Sequence, residues 1–172
     1  MIKITVSGLN DFAKRIQDLS ANLETKLKLI MQRLGDMGVD IAQASFRTAQ
    51  YDGTNDVTCS TRWESDKRLD IVAKGEAVAF IEFGTGVHYV DDHPKAVEMR
   101  AVRGMYGYRL GRFQYWHYPA SKGAGTNGVP MLSNKGLRIM TRGNPPSYSL
   151  YNTAKELRTK VQAVAEEVLN ND

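Results

Sequence analysis

The chain has 172 residues, 42% of them hydrophobic, enough to bury one core and too few to make two domains the expectation. No run of about 18 apolar residues occurs, and the opening MIKITVSGLN lacks the basic-then-apolar order of a signal peptide, so a soluble protein made in the cytoplasm is expected. One cysteine, Cys59, excludes an internal disulfide, and the +4 net charge is unevenly spread: Lys and Arg against Asp and Glu number 11 to 12 over residues 1–86, 9 to 3 over 87–144 and 3 to 4 over 145–172.

IKITV at residues 2–6 alternates apolar and polar, which predicts a short opening strand ended by Gly8. From there Phe12, Ile16, Leu19, Leu23, Leu27, Ile30, Leu34, Met37 and Ile41 recur at steps of four and three. That is one apolar stripe on a long helix, or on two helices in register, with Asn10 as N-cap and Leu-Ser-Ala-Asn at 19–22 as the place for a break. Gly35 and Gly38 each cost a helix about 1 kcal/mol relative to alanine. Close packing against them is one reading; a tolerated pair in a well-buried helix is the reading favoured.

YDGTND then supplies turn residues, VTCSTRW and LDIVAK predict strands, and KGE at 74–76 reverses the chain into AVAFIEF, a third antiparallel strand. At the other end, after Pro145 and Pro146, the stretch SYSLYNTAKELRTKVQAVAEEVLN places Leu150, Ala154, Leu157, Val161, Val164 and Val168 on one helical face. The expected fold is α+β: an antiparallel sheet of about four strands packed against a long N-terminal helix and a C-terminal helix. A single domain is expected, with its core in 1–86 and 145–172. Residues 87–144, rich in glycine, aromatic and basic residues, form an insertion expected as an extended hairpin or loop.

Few residues point to chemistry. Phosphate binding by Phe83-Gly84-Thr85-Gly86 needs a helix N-terminus and spacing such as GxGxxG or a following Lys-Ser/Thr, and neither is present. Glu82 acts as a general acid or base only if a second titrating group faces it, and Glu76, Asp91 and Asp92 have no suggestive spacing. The better reading of Glu82 is a strand-end acid that accepts backbone hydrogen bonds or pairs with an arginine. A hydrolase using Glu82 with a histidine ranks far below it. His88, His93 and His117 fit neither HExxH nor a Cys-His finger, and Cys59 reads as a buried apolar residue. No catalytic, cofactor-binding or metal-ligating residue is assigned, and no cofactor is expected.

The basic middle is more informative. Arg100, Arg103, Arg109 and Arg112 interleave with Tyr106, Tyr108, Phe113, Tyr115 and Trp116. Cations with stacking rings suit a nucleic acid, and the same residue types suit the centre of a protein interface. The protein interface is favoured because no recognised nucleic-acid module surrounds the segment.

The strand-end Glu82-Phe83-Gly84-Thr85, the TRGNPP turn with Pro145 and Pro146, and a final helix with a small residue, Ala154, on its inner face together resemble a family of tailed-bacteriophage neck and minor tail components. The resemblance covers residues 1–86 and about 140–170. It implies a non-enzymatic virion protein, made in the bacterial host cytoplasm and built into the neck or tail. It would assemble with itself in a ring or other homo-oligomer, or dock on a ring, beside neighbouring neck, tail-terminator or tail-tube proteins, with room for non-specific DNA contact and with no membrane. A nucleic-acid-binding module using residues 100–118 is the alternative. The chain departs from the shorter family pattern by about 55 residues between the two blocks.

Overall fold

The computed structural model describes residues 9–86, 93–99, 114–123, 125 and 128–170. The opening strand expected at 2–6 lies outside them. Helix α1 (Leu9–Thr48) is followed by strands β1 (Thr58–Ser65) and β2 (Arg68–Lys74) and by a short helix, α2 (Val78–Phe83). Strands β3 (Trp116–Pro119), β4 (Val129–Ser133) and β5 (Gly136–Thr141) come next, and helix α3 (Ser149–Asn170) closes the order. This is the α+β architecture expected, with long N-terminal and C-terminal helices. Its strands form two small antiparallel sheets, β1-β2 and β3-β5-β4, in place of one sheet of about four.

Helix α1 is one unbroken helix of 40 residues, about 60 Å at 1.5 Å per residue, so nothing breaks it at 19–22. It begins at Leu9, which puts Asn10 inside the first turn and not at the cap. Two apolar clusters sit along its second half. Ile30 packs with Val164 and Val168 of α3, joined by Leu34 and Met37; further on, Phe46 packs with Val57, Ala77 and Ile81. Cys59 lies half-buried against this second cluster, and burial pushes its thiol pKa up.

Gly35 and Gly38 mark close approach and not mere tolerance. A Cβ at Gly35 would lie 2.5 Å from Leu69 Cδ2, and one at Gly38 would collide with Ile71 Cδ1 and stand 2.8 Å from Leu157 Cδ1. The β1-β2 hairpin lies on α1 through these two positions. Gln43 fastens it there, donating to the Val57 carbonyl at 3.0 Å and accepting from the Cys59 N–H at 2.8 Å.

AVAFIEF is a helix and not a third strand. The Ile81 N–H donates to the Ala77 carbonyl at 2.9 Å, a helical step of four. Asp56 starts this turn, its carboxylate accepting from the N–H groups of Glu76 at 2.7 Å and Ala77 at 2.9 Å. A short apolar run fits a buried strand or a buried helix equally, and the capping acid lies 20 residues upstream, beyond any local pattern. Within the described part of the insertion, β4 and β5 make a hairpin that β3 extends into a three-stranded sheet.

Candidate functional site: two interlocked turns and a buried acid

Residues 80–86 and 141–151 meet side by side. The Thr85 N–H donates to the Asn144 carbonyl at 2.9 Å, and the Ser147 N–H to the Ile81 carbonyl at 2.9 Å. Side chains double the seam. Thr85 Oγ1 donates to Asn144 Oδ1 at 2.6 Å and accepts from the Asn144 N–H at 3.1 Å, while Asn144 Nδ2 donates to the Phe80 carbonyl at 3.0 Å. Thr85 and Asn144 are both buried, so each bond satisfies a group that would otherwise lose its water unpaired.

Glycines permit the approach. Gly84, Gly86 and Gly143 have φ of 76°, 78° and 92°. A Cβ at Gly84 would lie 2.7 Å from the Pro146 nitrogen, and one at Gly143 would strike the Thr85 carbonyl oxygen. The two blocks separated in sequence are one unit in space. Pro145 and Pro146 are half-buried within it. Gly84 and Gly86 follow the C-terminal end of α2, whereas anions are held at helix N-termini.

Glu82 is 4% exposed and faces the start of α3. Its Oε2 accepts from the Leu150 N–H at 2.9 Å and its Oε1 from the Tyr151 N–H at 3.1 Å. Those amides belong to the first turn of a helix, where N–H groups lack intrahelical partners and the helix dipole favours negative charge. The acid therefore serves as the N-terminal cap of a helix 68 residues further along the chain.

His93 completes the arrangement. Its Nδ1 accepts from the Lys95 N–H at 3.0 Å, which in the neutral ring places the proton on Nε2, 3.2 Å from Glu82 Oε1. The ring stacks on Tyr148 at 4.9 Å between centroids and meets Phe83 and Tyr151 edge-on at 4.5 and 5.5 Å. Tyr148 holds φ at 56°, an uncommon conformation for a non-glycine residue, at the point where the chain turns into α3. Glu82 and His93 are thus brought together, as a hydrolase would need. Yet both carboxylate oxygens and both ring nitrogens already have partners within the chain.

A cavity of about 680 Å³ lies apart from this pair, between the loop after α1, α2 and β3. Tyr51, Phe80, Trp116 and Tyr118 line it with Asp56, Glu76 and Lys122; Glu82 and His93 do not. Tyr118 donates its hydroxyl to the Asp52 carbonyl, and burial, with the negative charge of Asp52 next, pushes its pKa up to about 12.

Of the remaining sequence candidates, Ala154 is exposed, so it is not the small residue on the inner face of α3. That position belongs to its neighbour Thr153, which is buried and donates its hydroxyl to the Ser149 carbonyl at 2.7 Å. Arg100, Arg103, Tyr106, Tyr108, Arg109, Arg112 and Phe113 lie outside the described residues, as does His88. Tyr115 is exposed, whereas Trp116 is half-buried with its ring against Gly86 and belongs to the frame. His117 stands exposed on β3. Among the described residues no three His, Cys, Asp or Glu side chains are grouped as metal ligands, and no helix is long and apolar enough to cross a membrane.

Asn144, His93 and Asp56 are the functional side chains of this frame that sequence reasoning left unassigned. An asparagine between Gly143 and two prolines was the available signal for the first, since such a residue commonly bonds backbone at a turn. No model of a known protein family, no curated protein and no solved structure matches the chain.

Proposed function

We propose that this chain is a non-enzymatic structural protein of a tailed phage or prophage, a neck or tail-completion component that assembles by protein-protein contacts into a ring between head and tail. One observation carries the reading. The two blocks on which the resemblance rests, Glu82 to Thr85 and the turn at Pro145 and Pro146, are bonded to one another in space, and Glu82 spends its carboxylate on the amides of α3. A motif whose acid holds a helix end has a reason to be kept in a protein that performs no reaction. A heterologous contact between copies closes into a ring when the rotation permits.

The test is electron microscopy of lysates from the parent phage lacking this gene. Full heads lying apart from finished tails place the protein at the junction. Heads without tails, or tails of aberrant length, place it in tail assembly. Infectious particles of normal appearance overturn the reading.

A further inference from the structure

The first half of α1 carries an apolar stripe that nothing among the described residues covers. Lys26 Nζ bonds the Leu169 carbonyl at 3.2 Å, one residue before α3 ends, and Lys28 pairs with Asp66 at the tip of the β1-β2 hairpin at 2.8 Å. Both packing partners of α1 therefore stop at this level. The preceding 17 residues, about 25 Å of helix, extend beyond them. Residues 14–25 are all exposed. Ile16, Leu19, Leu23 and Leu27 show 50%, 57%, 53% and 47% of their surface, although they continue the stripe that binds α3 from Ile30 onward.

At roughly 100 Å² for each half-exposed aliphatic side chain this face presents about 400 Å², the size at which an apolar patch marks a contact site. Two such faces together remove about 800 Å². At the roughly 65% apolar content of homodimer interfaces that corresponds to about 1,200 Å² in total, the lower bound of stable complexes. Steps of four and three residues make the stripe the kind of seam that packs against a copy of itself.

We infer that the exposed half of α1 is a self-association face, on which a second copy of this chain docks. An isologous contact closes after two copies, so it governs the solution state and is separate from the heterologous contact a ring requires. It stands or falls independently of the neck reading.

Sedimentation equilibrium of the full chain over a hundredfold concentration range tests it. The wild type is expected to pass from the 19.2 kDa monomer to twice that mass. Leu19→Glu/Leu23→Glu should raise the dissociation constant at least tenfold while circular dichroism still reports the folded helices, because neither side chain is packed within its own chain. A wild type that is monomeric throughout overturns the inference, as does a Leu19→Glu/Leu23→Glu protein that still dimerises. A monomeric wild type whose stripe variant is lost from assembled particles overturns self-docking and assigns the face to a different partner.

Discussion

Thr85 and Asn144, 59 residues apart, share three hydrogen bonds, two of them through one hydroxyl: it donates to the asparagine side-chain oxygen Oδ1 at 2.6 Å and accepts from the asparagine backbone N–H at 3.1 Å. One small side chain thereby ties the end of α2 to the approach of α3. Thr85→Val, which keeps the shape and deletes the hydroxyl, leaves a buried acceptor and a buried donor unsatisfied. A loss of about 2–4 kcal/mol is expected in urea unfolding, with Thr85→Ser much milder. A valine variant as stable as the wild type would mean that the seam is held by its backbone bonds alone.

Glu82 caps α3 and accepts a hydrogen bond from the Nε2–H of His93. Glu82→Ala removes the cap and leaves His93 buried without its acceptor, for an expected loss of about 2–4 kcal/mol. Glu82→Gln, whose amide oxygen still accepts one backbone N–H, should fall between. Assembly should fail in step with stability. A stable, assembly-competent Glu82→Ala protein would remove the role given to this residue.

Gly38→Ala sets two effects against each other. Alanine gains about 1 kcal/mol of helix propensity, while overpacking a fitted contact costs about 1–3 kcal/mol. Here the new methyl meets Ile71 Cδ1 and Leu157 Cδ1 together, so net destabilisation is expected. Shortening Ile71 to valine in the same protein should recover part of it. Should Gly38→Ala raise the melting temperature, the hairpin can lift from α1 at no cost and the close approach is incidental.

Asp56 gives the fold an acid-sensitive point. Hydrogen bonds from the N–H groups of Ala77 and Glu76 hold its pKa below the ordinary 3.8. A carboxylate depressed in the folded state contributes stability that is present above 3.8 and is lost as pH falls through the lower folded value. Asp56→Asn should therefore be less stable than the wild type near neutrality, and the difference should shrink below pH 3.8. Thermal melts of both proteins across the acid range read this directly, and a gap that does not change with pH would assign the effect to shape and not to charge.

The helices were legible because an apolar stripe repeats at 3.6 residues whatever it packs against. That same independence hides the partner. Ile30 and Leu19 belong to one stripe, yet Ile30 is buried against α3 and Leu19 stands exposed. The α2 segment was not legible as a helix, since its start depends on Asp56 across an intervening hairpin. Glu82 was half legible. An acid in an apolar run must find donors, but which donors depends on tertiary placement, and Leu150 and Tyr151 lie on the last helix. Gly35 and Gly38 were visible as an oddity whose meaning needed Leu69 and Ile71 in place.

Gly86 and Trp116 touch: a Cβ on the glycine would stand 2.9 Å from the indole ring. The chain thus leaves the frame at Gly86 and is back on it at Trp116, and between them His93 is also buried in the frame beside Glu82. Lengthening such an excursion is cheap, about 0.6 kcal/mol for each doubling. The frame behaves at this position as a socket with one fixed pin: a stretch exchanged between Gly86 and Trp116 must still return a side chain to the place of His93 beside Glu82.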